Sequence, residues 1–183
     1  MPMNIKIPKN KSKKFIEDFF IKKGLGSIIV ESKKKIILNS KLSSKKILVP
    51  ELKDLYRLYK FIILNKRTTI MEFGSGWSSL IFNLALYDLK KKNLKTAKLL
   101  RRNNLFELFV LENNKSYLSI SKNRIRIYNN ILKIKNPIKI NYNFSEVKMT
   151  LFNDKISTCY QKLPLCNPDF IYLDGPDQFN IKG

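Results

Sequence analysis

Residues 68–79, Thr-Thr-Ile-Met-Glu-Phe-Gly-Ser-Gly-Trp-Ser-Ser, restrict the folding options of this chain more than any other stretch. A short β-branched and apolar run ends near Glu72, the turn Gly74-Ser75-Gly76 follows, and Ser78 and Ser79 open a segment with helical apolar spacing through Leu86. The pattern predicts a strand, a glycine turn and a helix N-terminus in direct succession. Glycine lets the backbone turn sharply and approach closely, and the first helical turn offers N–H groups without intrahelical partners. Such a unit suits a ligand, above all one with an anionic group.

Two better-known glycine loops do not fit. A dinucleotide fingerprint needs Gly or Ala three residues after the second glycine, where this chain has Ser79, and bulky Trp77 follows that glycine. No Gly-Lys-Ser/Thr follows, which excludes a P-loop.

Two further acids stand at the ends of predicted strands. Residues 106–112 read as a strand ending in Glu112, followed by Asn113. Residues 170–173, Phe-Ile-Tyr-Leu, form a continuous apolar run of the kind central parallel strands show, ending in Asp174-Gly175-Pro176. In parallel sheets the carboxyl ends of strands make the ligand edge, so Glu72, Glu112 and Asp174 should converge there. A carboxylate on the neighbouring strand can accept hydrogen bonds from both ribose hydroxyls of an adenosyl ligand.

Taken together, these stretches resemble three motifs of the class I S-adenosylmethionine (SAM)-dependent methyltransferases, in the family's order. Glu72 to Ser79 reads acidic-x-Gly-x-Gly-aromatic-Ser-Ser like the first motif, Glu112 stands as the second, and Asp174-Gly175-Pro176 resembles the fourth. The similarity spans roughly residues 50 to 183. It implies an α/β fold with a Rossmann-like, mostly parallel sheet and helices on both faces. It also implies SAM as cofactor, bound through Glu72, Gly74, Ser75, Gly76, Ser78, Glu112 and Asn113, with Asp174 as base or orienter. The reaction implied is methyl transfer, O-directed, to a small-molecule or sugar-type acceptor. No metal is assigned. Amino-directed nucleic-acid methyltransferases carry Asp/Asn-Pro-Pro-aromatic at the fourth motif, a pattern that Gly175 and Asp177 break. Gly76 and Glu112 are 36 residues apart, more than the usual spacing, and the basic stretch 90–104 accounts for the excess.

The family's sheet has seven strands in the order 3-2-1-4-5-7-6. Counted from Ile70, this chain supplies the first four and stops nine residues after Asp174. The expectation is a truncated or degenerate domain lacking the strands after the fourth.

Elsewhere the pattern sets the remaining elements. Residues 1–49 are expected to form a basic extension, with 13 lysines against three acids up to Lys46. Within it, residues 1–14 should be mobile, Phe15 to Ile21 should be helical and closed by Gly24 and Gly26, and the β-rich runs 27–31 and 35–39 should pair as a hairpin. Pro50 should start a helix presenting Leu52, Leu55, Tyr56, Tyr59, Ile62 and Ile63 on one face. The helix after the glycine turn should run on into the basic stretch, a further helix should cover residues 115–128, and residues 138–144 alternate as a third strand. Leu151-Phe152 and Ser157 to Tyr160 suggest a second hairpin.

Charge supplies the alternatives. A net charge of +22 and pI near 10.0 invite a nucleic-acid or acidic-membrane partner. The excess is mostly lysine spread through every segment, which suits a solvated surface better than a binding stripe. A basic RNA-binding or RNA-modifying module, and a nucleotide-dependent enzyme on a similar sheet, are the rival readings. With no histidine, there is no histidine base, Ser–His pair or His-ligated zinc. Cys159 and Cys166 read as reduced thiols. No apolar run reaches the length of a membrane span, so the chain is expected to be cytoplasmic and without a membrane partner.

Overall fold

A computed structural model describes residues 4–34, 49–97, 99–100 and 102–176. The elements run α1 (Lys13–Lys22), α2 (Gly26–Ser32), α3 (Leu52–Leu64), β1 (Thr69–Phe73), α4 (Trp77–Ala97), β2 (Glu107–Glu112), α5 (Lys115–Ile131), β3 (Lys139–Phe144), β4 (Val147–Phe152), β5 (Lys155–Tyr160) and β6 (Phe170–Leu173). Strands β3-β2-β1-β6 form one sheet, parallel throughout, while β4 and β5 pair antiparallel as a separate hairpin. A four-stranded parallel sheet flanked by helices is compatible with a Rossmann-like fold. The order matches the 3-2-1-4 that the resemblance implied.

The two faces of the sheet differ. The even-numbered residues of β1, β2 and β6 (Ile70, Leu108, Val110, Phe170 and Tyr172) belong to one core with residues of α1 to α5. Phe82 of α4 meets both β6 aromatics, with ring centroids 5.9 Å from Phe170 and 5.4 Å from Tyr172. On the opposite face, Met71, Phe109 and Leu111 form a small cluster covered by Phe73, Tyr160 and Cys166. Among the described residues the helices therefore cover one face, and the expectation of helices on both is corrected. Ile171 and Leu173 point to the thinly covered side and are 60% and 73% exposed.

The parallel pair β1 and β6 is pinned at both ends. At their start, Asp169 accepts from the amides of Thr68 and Thr69, from the Thr68 hydroxyl and from Arg102 at 2.9–3.0 Å. At their finish, Gly74 lies against Gly175 so closely that a Cβ on either would come within 3.0 Å of the other's backbone or its neighbour's. Gly74 also has φ +96°, which only glycine adopts readily.

The N-terminal segment departs from its prediction. Gly24, at φ +71°, closes α1 through Leu25 N–H to Phe20 O, the expected glycine stop. Residues 27–31, expected as a strand, instead belong to α2, which buries Ile28 and Ile29. With Leu25 they fall at i, i+3 and i+4, so core burial on one helical face outweighs β-branched propensity. The run 35–39, the hairpin's other half, lies outside the described residues. Lys6, in the stretch expected to be mobile, exchanges hydrogen bonds between its backbone and the Asn65 side chain at 2.8 and 2.9 Å.

Candidate functional site

The three strand-end acids come from β1, from the end of β2 and from the residue after β6, so parallel pairing sets them along one edge beside the N-terminus of α4. Glu72 is fully buried and accepts from Ser78 Oγ at 2.5 Å and Ser79 Oγ at 2.6 Å. One carboxylate thus fastens the first turn of α4 to the strand before it. Burial pushes the Glu72 carboxyl up to about 8; the two serines oppose this, and the charges of Asp174 and Glu112 add to it.

Glu112 is 3% exposed and its oxygens are already engaged. Oε2 accepts from Ser75 Oγ at 2.8 Å, while Oε1 accepts from the amides of Asn113 and Asn114, both at 2.9 Å. Burial raises its pKa, against these hydrogen bonds. The Ser75 amide also supports the carboxylate, so a ligand hydroxyl would reach Oε2 by displacing the Ser75 hydroxyl. Asp174 follows β6, its amide held by Phe73 O at 2.8 Å, and burial raises its pKa too.

The glycines divide their duties. Gly74 serves the close crossing with Gly175. Gly76 faces open space, since a Cβ there would meet only Ser78 Oγ at 4.0 Å. The carbonyl of Gly76 accepts from Ser121 Oγ of α5 at 3.5 Å. Trp77 turns to α5, where the Arg124 guanidinium lies 3.7 Å from its ring centroid.

All eight sequence-predicted residues therefore gather at this edge, in different roles. Glu72 and Ser78 are bound to each other and brace the helix start. Ser75, Asn113 and Glu112 form a second bonded set. Gly76 and Asp174 are the members with the least internal business. Sequence reasoning missed Ser79 as a partner of Glu72, although its place seven residues on, in the first turn of α4, was readable. It also missed Tyr160, which closes the edge from the β4–β5 hairpin: its ring centroid is 5.6 Å from that of Phe73. Nothing local in the sequence marks that tyrosine.

Two cavities lie elsewhere. One of about 380 Å³ is lined by Gly24, Tyr87, Asp88 and Tyr128, among the helices. Another of about 210 Å³ sits between the ends of β3 and β5, at Phe144, Ser145 and Gln161. Ser145 donates its amide to Glu112 O at 3.1 Å, so this second cavity adjoins the acid edge. Among the described residues no three His, Cys, Asp or Glu side chains gather as a metal site, and no helix is long and apolar enough to cross a membrane.

Comparison with protein-family models, with curated proteins and with solved structures returned no match for this chain.

Proposed function

We propose that this chain is a SAM-binding, methyltransferase-type domain whose ligand lies along the strand-end edge of β1, β2 and β6. The observation that carries the proposal is a local reversal of charge. In a chain of net charge +22 with only 14 acidic residues, three acids meet at one glycine-turn edge: Glu72, buried and raised to about 8, holds a proton near neutral pH, and Glu112 and Asp174 supply the negative charge. A pyrophosphate-bearing dinucleotide would meet repulsion there. A ligand with a sulfonium and an ammonium would be attracted, and its positive charge would favour the ionised carboxylates.

The residues fit such a ligand in distinct ways. Gly76 leaves room for close approach to the start of α4. Glu112 would take ribose hydroxyls at Oε2 in exchange for the Ser75 hydroxyl, with the Asn113 amide orienting the carboxylate through Oε1. Glu72 and Ser78 hold the loop rather than the ligand. Asp174, exposed beside the opening, would orient or deprotonate an acceptor hydroxyl. SAM, when bound, supplies an activated methyl group on sulfur, so the protein's part is to align donor and acceptor and take up one proton. O-directed transfer to a small-molecule or sugar-type acceptor is the reaction we favour.

Thermal shift with SAM, with NAD and with RNA across a salt series separates this reading from its rivals. Stabilisation by SAM alone is the expected result. Stabilisation by NAD, or by RNA with a steep salt dependence, would replace it. A methyl-transfer screen with labelled SAM then identifies the acceptor.

A further inference from the structure

Among the described residues the buried Tyr160 hydroxyl has no hydrogen-bond partner. The Gly74 amide lies on the same side and lowers the phenol's pKa slightly, but its one proton is donated to Leu111 O at 2.8 Å and does not satisfy the hydroxyl. The ring is fixed by packing on Phe73 and by membership of the Met71, Phe109 and Leu111 cluster. The hydroxyl itself lies over Gly175, 3.1 Å from where a Cβ on that residue would be. It thus stands at the junction of β1, β6 and the hairpin, next in space to the residue that follows Asp174. An unpaired buried hydroxyl is costly, and native structures carry few without a reason.

Burial, with the charge of Glu112 adding to it, raises the phenol's pKa, so the group stays neutral and keeps both its proton and its acceptor lone pairs. With Glu112 and Asp174 close by, the local potential favours a cationic N–H over an anion as the missing partner. We infer that Tyr160 is a ligand-contacting residue whose hydroxyl accepts a hydrogen bond from the α-ammonium group at the amino-acid end of the bound cofactor or its demethylated product. This inference rests on the SAM reading above and adds the residue that recognises one end of the ligand.

Tyr160→Phe isolates the hydroxyl, because the ring and its packing are kept. Two probes are titrated into wild type and variant by calorimetry: S-adenosylhomocysteine, and 5′-methylthioadenosine, which lacks the amino-acid end. The expected result is a loss of about tenfold for S-adenosylhomocysteine and no change for 5′-methylthioadenosine. The ligand-free variant should melt at or above the wild-type temperature, since an unpaired polar group has been removed. Equal losses for both probes, or a lower melting temperature, would make Tyr160 a structural residue and overturn the inference. Unchanged affinity for S-adenosylhomocysteine would also overturn it while leaving the cofactor reading intact. A wild type that binds neither probe removes the cofactor reading, and this inference with it.

Discussion

Glu72 lies fully buried before the glycine turn, its oxygens held by Ser78 and Ser79. Its consequence is for stability. The folded chain keeps a proton on Glu72 up to about pH 8, whereas the unfolded chain releases it near the ordinary value of 4.5. The native state then binds more protons than the unfolded state between those values, so stability falls as pH rises through that window and levels off above it. Glu72→Gln should flatten this part of the profile, because the amide cannot ionise. Urea midpoints at pH 5, 6.5 and 8 should converge with the wild type at low pH and exceed it at pH 8. Parallel profiles for the two proteins would show that Glu72 is not the titrating group.

Helices α3 and α5 were legible from apolar residues on one face, the central strands from short continuous apolar runs, and α4 from its place after the glycine turn. Thirteen residues of α3 repeat apolar positions on a single face, and β6 is a bare apolar run. The strand ends were legible because acids and glycines there are chemically distinct. The α2 segment was misread for the opposite reason: in seven residues, β-branched Ile28, Ile29 and Val30 match a strand by type, while only Leu25, Ile28 and Ile29 mark the helical face. Long-range bonds left no local trace. Asp169 is the clearest case, since its partners Thr68 and Thr69 precede it by about a hundred residues. It fastens the starts of β1 and β6, and its side chain is only 11% exposed. Asp169→Ala should lower stability by about 2–4 kcal/mol, from buried amides and a guanidinium left unpaired. Arg102→Ala should cost less, because it leaves the backbone bonds to Asp169 in place. Chemical denaturation of both variants decides it: equal small losses would mean that the clamp contributes little.

The molecule as a whole is a basic α/β unit with one well-covered sheet face and one thin one. Ile171 and Leu173, together with Leu163 and Leu165, leave apolar surface beside an edge strand whose described partner is β1 alone. Such edges invite pairing, opposed here by the chain's positive charge. The isolated chain should therefore self-associate with concentration, more strongly as salt screens the charge, and Ile171→Lys should shift it toward monomer. Sedimentation of a monodisperse monomer at every salt and concentration would contradict that expectation. The central claim concerns the acid-lined edge and its glycine turn. Gly76 is where it is most exposed to test: a side chain there meets almost nothing of the protein, yet would project into the space assigned to the ligand. Calorimetric titration of S-adenosylhomocysteine into the wild type and into Gly76→Val should show saturable binding to the first and its loss in the second, with both proteins equally folded by circular dichroism. No binding to the wild type, or equal affinity in the folded variant, would mean that this edge is not a SAM site.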